Sequence, residues 1–404
     1  MTKADETYLD LIKCIMKDGT KRETRAGEVY SVFGKQIRFD LKEGFPLLTT
    51  KKVFTKGVLH ELLWFLQRPY NSHGSMNIEY LVRNGVHIWD DDAYRWFKTE
   101  ISNRQKDIRD ILVCTTDDEK SPDRKPHYEY WIERDSRMED PDWLENITKD
   151  EFLDLVLDKV ELKFGWAYSY RFGDLGPVYG KQWRSFGETG VDQINNIINT
   201  LKTNPNDRRM LCIAFNPDQL EDMALPPCHV MMQFYARPLT RDERMKIFNN
   251  RYLTHKIPKE YFEWFKEYSK NTPEGMDVSM PDDGSNYDIA GIPKYGLSCM
   301  WTQRSVDTFL GLPFNIASYA CLTHMIAKLV NMIPDELVGS LGDCHIYTAH
   351  KEAIEEQLKR EGSDIVPELW IEGDQKTIED FKYDDLKIVA YCPNPPIKAP
   401  LLVG

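Results

Sequence analysis

The sequence predicts an α+β fold. Several segments carry apolar residues at the spacing of one helix face, whereas the predicted strands gather in the middle of the chain and do not alternate regularly with helices. A regular βαβ repeat would instead predict a parallel sheet between two helical layers. The 404 residues are 41% hydrophobic and 29% charged, which provides enough apolar residues for a large core.

The first elements are a helix, a strand and a second helix. Residues 7–19 have helical spacing and end at a glycine, and residues 29–41 then predict a strand. Residues 56–68 predict a mostly apolar helix that contains one acid, Glu61. That carboxylate faces either the protein surface or a substrate, and the pattern leaves both open.

Two long segments differ in composition from the rest and are interpreted as surface insertions. The first covers about residues 93–170 and mixes charged with aromatic residues, and the second covers about residues 238–295. Neither segment shows catalytic spacing. The elements predicted within them are strands at 111–116 and 127–133 and helices at 149–160 and 259–270.

The remaining elements complete the predicted sheet. Residues 230–236 predict a buried strand, and residues 297–311 predict a strand followed by a loop. A long buried helix is predicted to start just after Pro313, and a further strand and helix follow within residues 335–360.

Bulk properties limit the partners and the compartment. The net charge of −13 predicts a surface that repels nucleic acid. The eight cysteines form no CxxC pair and the first residues contain no apolar signal stretch, so a reducing cytoplasm is expected. Since no run of about 18 apolar residues occurs, no membrane span is expected.

Cys228 is the strongest candidate for a reactive group. It follows two prolines and precedes the strand at 230–236, so it sits on stiff backbone at the entry to a buried strand. An arbitrary cysteine is more often a small buried hydrophobe. His229 is the next residue, and because strand side chains alternate it is not expected to act as the base of a Cys/His pair.

The segment around Cys228 resembles a known family. RRMLCIAFNP and ALPPCH are similar to the active-site segment of the thymidylate synthases, and further motifs follow the family in the same order along the chain. The motifs are FGKQIRFDLKEGFPLLTTKK, HELLWFL, GVHIWD, DLGPVYGKQWR, QRSVDTFLGLPFNIASYA, LGDCHIYTAH and PPIKAP. The resemblance implies one catalytic domain over residues 1–404, with a twisted mixed sheet flanked by helices and a homodimer that shares its active sites.

The resemblance also implies the chemistry. A thiolate of Cys228 adds to C6 of dUMP, C5 then attacks the one-carbon unit of 5,10-methylenetetrahydrofolate, and no metal takes part. Arginines around the phosphate are expected to lower the pKa of the thiol. The implied catalytic residues are Cys228, Glu61, Tyr179 and Asp307. The implied folate-binding residues are Trp89, Asp307, Leu310, Gly311 and Phe314. The implied nucleotide-binding residues are Arg25, Arg208, Arg209, Gln303, Arg304, Ser305, Asn315, His345 and Tyr347.

Asn315 is the residue expected to distinguish uracil from cytosine. Its carboxamide can accept from N3–H and donate to O4 of uracil, so dUMP is expected rather than dCMP. The alternative is an ordinary helix cap. In the family, the pair Arg208 and Arg209 reaches the site of the neighbouring subunit, which implies an obligate dimer.

Two elements that exclude water in the family are altered here. The arginine loop at residues 25–28 is one residue shorter, and the chain ends in PLLVG. Asp92 replaces a common tryptophan and Asn394 a common histidine. Because these changes admit water to the reacting carbon, the expected product is 5-hydroxymethyl-dUMP, as in a viral deoxyuridylate hydroxymethyltransferase of the host cytoplasm. The alternatives are a thymidylate synthase making dTMP and an inactive nucleotide-binding regulator.

Overall fold

The computed structural model describes residues 1–69, 75–100, 146–159, 161–164, 168–254, 256–271 and 285–402. The strands are β1 (Thr20–Thr24), β2 (Gly27–Asp40), β3 (Glu161–Phe164), β4 (Tyr168–Arg171), β5 (Leu211–Ile213), β6 (His229–Pro238), β7 (Tyr295–Asp307), β8 (Ile333–Tyr347), β9 (Glu368–Ile371) and β10 (Leu386–Val389). The helices are α1 (Lys3–Asp18), α2 (Thr55–Phe65), α3 (Glu79–Arg83), α4 (Lys149–Leu157), α5 (Tyr179–Arg184), α6 (Gln193–Thr203), α7 (Arg241–Leu253), α8 (Lys259–Lys270), α9 (Ser285–Ile289), α10 (Gly311–Leu329) and α11 (Lys351–Leu358). Residues 90–100 are also helical.

A six-stranded mixed sheet organises these elements. Its strand order is β1-β2-β8-β7-β6-β5, with β7 and β8 parallel and the other neighbours antiparallel. The long buried helix α10 runs between β7 and β8, which supplies the crossover that two parallel strands require. The α+β class predicted from the sequence is therefore confirmed.

The two faces of this sheet have different surroundings. In β7, Leu297, Cys299 and Trp301 are buried, whereas the alternate side chains of Met300 and Thr302 are partly exposed. The helices α1 and α10 contact the sheet, and the buried side chains belong to one large core. The partly exposed side chains that alternate with the buried ones point to the opposite face of the sheet.

Three details differ from the sequence predictions. The strands are not gathered in the middle of the chain, since β1 and β2 lie within the first 40 residues and join the main sheet. The helix α10 starts at Gly311 and not after Pro313, because proline is tolerated within the first helical turn. The strands predicted at 111–116 and 127–133 lie outside the described residues.

The segment at 238–295 has a small core of its own. Phe248 of α7, Tyr261 of α8 and Tyr287 of α9 pack together in a cluster separate from the main core. The helix predicted at 259–270 has those bounds in the structure. The limits of the two insertions remain a prediction. Among the described residues, no helix is long and apolar enough to cross a membrane.

Candidate active site

Cys228 lies immediately before β6 and is held by the neighbouring strand β7. The backbone N–H of Arg304 donates to the Cys228 carbonyl over 2.9 Å. The Arg304 guanidinium donates to the carbonyls of Pro227 and Pro226, at 2.9 and 2.8 Å, and its Nη2 lies 4.0 Å from Sγ of Cys228. The two prolines therefore present their carbonyls to the same guanidinium that faces the thiol.

The thiol is not activated in the free chain. Burial raises the pKa of Cys228 above its ordinary value, and the positive charge of Arg304 and a hydrogen bond from Tyr179 oppose this effect without overcoming it. Arg304 does lower the pKa of this thiol, as expected of an arginine, but in the single chain burial outweighs that effect. The free-energy cost of desolvating the thiolate is larger than the stabilisation that one partly solvated guanidinium provides.

Tyr179 is the second member of the site. Its hydroxyl oxygen accepts the backbone N–H of Cys228 over 2.8 Å, and its ring packs against Phe65 at 4.9 Å between centroids. The turn before α5 requires Gly176, where φ is +72° and an added Cβ would lie 1.9 Å from the carbonyl oxygen of Asp222. This close approach sets the start of α5 beside the loop of Cys228.

Glu61 and Trp89 form a pair next to Tyr179. The indole Nε1–H of Trp89 donates to Oε1 of Glu61 over 2.7 Å, and the Trp89 ring lies 6.0 Å from the Tyr179 ring. Burial raises the pKa of Glu61 to about 7, although the Trp89 hydrogen bond opposes the shift. Glu61 is thus an inward-facing carboxyl that changes its protonation near neutral pH.

Asn315 and Gln303 provide a buried amide pair. The Nε2–H of Gln303 donates to Oδ1 of Asn315 over 3.1 Å and to the Ser305 carbonyl over 2.9 Å. The cap of α10 is Leu310, so Asn315 lies inside the helix and the helix-cap interpretation is wrong. Asn315 also shares a hydrogen bond with His229, so both neighbours hold its carboxamide in one orientation.

His229 is a core residue. It is buried, and its ring lies 5.2 Å from the Tyr179 ring and 5.5 Å from the Tyr319 ring. Burial lowers the pKa of His229 to about 4, with a smaller opposing effect from a hydrogen bond to Asn315. Its ring therefore contributes to the packing around Tyr179.

The ends of β7 and β8 bring a further group together. Asp307 of β7 pairs in register with His345 of β8, and the His345 ring contacts the Tyr347 ring at 5.3 Å. Oδ1 of Asp307 accepts the backbone N–H groups of Phe309 and Leu310, at 3.0 and 3.1 Å. Asp307 thereby shapes the turn that leads into Gly311 and Phe314 at the start of α10.

The arginines predicted to bind phosphate occupy three separate places. Arg304 is beside Cys228, while Arg25 is exposed on the turn between β1 and β2. Arg208 and Arg209 come just before β5. The carbonyl of the next residue, Met210, accepts the backbone N–H of Phe234, and Phe234 is six residues after Cys228 in the chain. At about 3.3 Å per strand residue, this separation is about 20 Å. One chain therefore does not bring Arg208 or Arg209 to Cys228.

Arg209 is already paired within its own loop. It donates to Asp207 over 2.8 and 3.1 Å, and its side chain is 88% exposed. Hydrogen bonds from Arg209 lower the pKa of Asp207 to about 2. This ion pair holds the guanidinium at the surface of the sheet edge.

Lys51 is a site residue that the sequence reasoning did not single out. Its buried Nζ donates to the Phe309 carbonyl and lies 3.4 Å from the centroid of the Phe309 ring. Burial lowers the pKa of Lys51 to about 7, while Asp307 acts in the opposite direction. Its sequence signal was its place in the motif FPLLTTKK, since a lysine within an apolar and threonine-rich stretch is unusual for a surface residue.

Comparison with known proteins gives one consistent result. The sequence model of the family described as "Thymidylate synthase" matches residues 6–251 and 285–403. Two proteins named thymidylate synthase, from Listeria monocytogenes serovar 1/2a and from Listeria innocua serovar 6a, are each 35% identical over 401 residues. Each alignment covers 98% of this chain and 99% of the relative.

Proposed function

This chain belongs to the thymidylate synthase family, and from that premise we propose that it converts dUMP to dTMP with 5,10-methylenetetrahydrofolate. The family assigns it to the one-carbon transferases that act on dUMP. The observation that carries the proposal is the contact chain from Cys228 through Tyr179 to Trp89 and Glu61. A nucleophile, a hydroxyl and a carboxyl with a pKa near 7 are what addition to a ring and proton removal require.

The proposed first step is addition of Cys228 to the pyrimidine ring. The sulfur of the thiolate forms a bond to C6, and the electrons of the C5–C6 double bond move to give an enolate at C4 and C5. The C5 carbon then attacks the one-carbon unit of the folate, whose bond to N10 breaks as N10 takes up a proton. Because burial raises the pKa of the thiol in the single chain, we place the loss of its proton within this step.

The later steps remove the C5 proton and release the product. Tyr179 is the proposed proton acceptor at C5, through its hydroxyl beside Cys228. Glu61 exchanges protons with that region, since its pKa of about 7 permits both protonation states. As the C5 proton leaves, the bond between the one-carbon unit and N5 of the folate breaks, which gives a methylene group at C5 and tetrahydrofolate. Hydride transfer from tetrahydrofolate to this methylene gives dihydrofolate, the bond between C6 and sulfur breaks, and dTMP leaves.

We propose that the ends of β7 and β8, together with α10, bind dUMP. Asn315, held by Gln303, is oriented to accept from N3–H and donate to O4 of uracil. His345 and Tyr347 form the proposed contact to the deoxyribose 3′-hydroxyl. Arg304 and Ser305 are proposed for the phosphate because the guanidinium already lies beside the nucleophile.

A homodimer explains the distant arginines. Arg208 and Arg209 lie about 20 Å along the sheet from Cys228 of their own chain, which is too far for one phosphate. The same sheet face exposes Tyr235 and Ile213, at 62% and 41%. We infer that this face pairs with a second copy, whose site receives Arg208 and Arg209.

The choice of product is between a methyl and a hydroxymethyl group. The relatives at 35% identity are named thymidylate synthases, and this favours the methyl product over the hydroxymethyl product expected from the sequence. One observation favours the hydroxymethyl product. The negative charge of Asp92 contributes to the raised pKa of the Cys228 thiol, and the Asp92 carboxylate forms an ion pair with Arg95. A charged side chain in this place attracts water where a tryptophan excludes it.

Product analysis distinguishes the two candidates. The enzyme is incubated with dUMP and methylenetetrahydrofolate, nucleotides are identified by chromatography with mass detection, and dihydrofolate is followed by absorbance. We expect dTMP with an equal amount of dihydrofolate. A product one oxygen heavier, formed without dihydrofolate, would instead establish the hydroxymethyltransferase. Cys228→Ala is the control and should give neither nucleotide.

A further inference from the structure

His350 closes the motif LGDCHIYTAH, and neither the predicted nor the proposed site gives it a role. It lies in the short 3₁₀ turn Thr348–His350, directly after β8. Its side chain is fully buried, with 0% exposure. A buried imidazole next to Tyr347 needs partners for its polar atoms.

The hydrogen bond of His350 goes to the C-terminal segment. Its Nε2 lies 2.8 Å from the carbonyl oxygen of Pro400. A carbonyl oxygen only accepts, so Nε2 carries the proton. Nδ1 has no partner within the part of the chain that the structure describes. The N–H donor at Nε2 is therefore used on the tail.

The ring of His350 also connects the two halves of the site. It lies 5.5 Å from the Phe309 ring and 5.4 Å from the Tyr347 ring, between centroids. Phe309 follows Asp307 and donates its backbone N–H to that carboxylate. Tyr347 belongs to the proposed nucleotide side. His350 thus touches the proposed folate turn, the nucleotide side and the tail.

Little else holds the end of the tail. Ile397 and Ala399 pack against the main core, but Pro400 is exposed and Leu401 is 58% exposed. Burial of apolar surface therefore contributes little beyond Ala399. The hydrogen bond from His350 is the polar contact that fixes the last described residues on this side of the site.

We propose that His350 is a positioning residue, which docks the C-terminal segment by donating its Nε2–H to the Pro400 carbonyl and so limits the entry of water to the reacting carbon. The docking stands on geometry alone, and the effect on water rests on the proposed function. Loss of one neutral hydrogen bond should raise the undocked population of the tail about 2- to 10-fold.

Limited proteolysis of the native enzyme measures docking without any reaction. Cleavage of a transiently opened segment follows the population of the open form when reclosing is fast. His350→Phe keeps a ring against Phe309 and Tyr347 but lacks the donor, so loss of the residues after Ala399, followed by mass spectrometry, should accelerate about 2- to 10-fold. His350→Gln, whose amide Nε2 can replace the imidazole Nε2 as donor, should stay close to the wild-type rate.

His324→Phe is the matched control, since His324 also faces a backbone carbonyl, that of Ala320 at 2.8 Å, in the helix α10. It should leave tail cleavage unchanged. The proposal would be overturned if the tail of His350→Phe were cleaved at the wild-type rate. It would also be overturned if His350→Gln or His324→Phe accelerated tail cleavage as much as His350→Phe does. As a second measurement, His350→Phe should increase the hydroxymethyl fraction of the nucleotide product. If the tail responds as expected but no variant forms either nucleotide, the proposed function fails and the docking role stands.

Discussion

The hydroxyl oxygen of Tyr179 accepts the backbone N–H of Cys228 over 2.8 Å, although 49 residues separate them in the chain. This bond fixes the nucleophile loop to the first turn of α5. In the proposed mechanism, this phenol receives the proton that leaves C5 of the bound pyrimidine. Tyr179→Phe should therefore lower kcat about 100-fold or more, while dUMP binding changes little.

Steady-state kinetics together with equilibrium binding of dUMP check this expectation. Tyr319→Phe is a suitable control, because Tyr319 is also buried beside His229 but, among the described residues, forms no hydrogen bond with the Cys228 loop. A Tyr179→Phe enzyme with nearly the wild-type kcat would remove Tyr179 from the chemistry.

The Glu61–Trp89 hydrogen bond gives a pH prediction. The pKa of Glu61 is about 7, and the Trp89 donor favours the ionised form. If the carboxylate is the active form, kcat/KM falls below about pH 7. Trp89→Phe removes the donor, so the carboxyl holds its proton to higher pH and the inflection moves upward.

The pH dependence of kcat/KM for the wild type, Trp89→Phe and Glu61→Gln tests this. Glu61→Gln should lose the inflection altogether, since an amide does not titrate in this range. An inflection that stays in place in both variants would assign it to another group.

Asn315→Asp should exchange the preferred base. A protonated carboxyl can donate to N3 of cytosine where the amide accepted from N3–H of uracil, and it can accept from the cytosine amino group where the amide donated to O4. We expect the ratio of kcat/KM for dCMP over dUMP to rise about 10- to 100-fold. Competition between the two nucleotides measures this ratio, and an unchanged ratio would mean that another group reads the ring.

Mixed dimers test the sharing of sites. Cys228→Ala and Arg209→Ala subunits are each expected to be nearly inactive alone. An equal mixture should recover about a quarter of the wild-type activity, because half the dimers are hybrids and each hybrid has one complete site. Cys228→Ala mixed with Arg304→Ala is the control and should not recover, since both residues belong to the same chain's site. Proven subunit exchange without recovery in the first mixture would contradict sharing.

Asp5 should be essential for stability. Its fully buried carboxylate accepts the backbone N–H groups of Thr49 and Thr50, at 2.9 and 3.0 Å, and the Thr49 hydroxyl at 2.6 Å. Asp5→Ala leaves these donors unpaired and should reduce the free energy of unfolding by about 3–5 kcal/mol. Asp10→Ala in the same helix is the control, because the Asp10 side chain is 74% exposed. Urea denaturation measures both, and similar midpoints for the two variants would contradict the prediction.

The sequence by itself determined helices and strands of the fold and which side chains are candidates for the site. Residues 259–270 and the strand after Cys228 have the periodicity of the helix and the strand that the structure contains, because periodicity and proline restrictions act over a few residues. The motifs around Cys228 led to the family that the comparisons show. The roles of the site residues remain predictions.

Only the tertiary structure decided how those groups act on one another. Burial raises the pKa of Cys228 and of Glu61, and the register of β5 with β6 keeps Arg209 away from Cys228. The contact of His350 with Pro400 joins residues 50 positions apart. Desolvation and hydrogen bonding depend on what surrounds an atom in space, and strand pairing and packing bring those surroundings from distant parts of the chain.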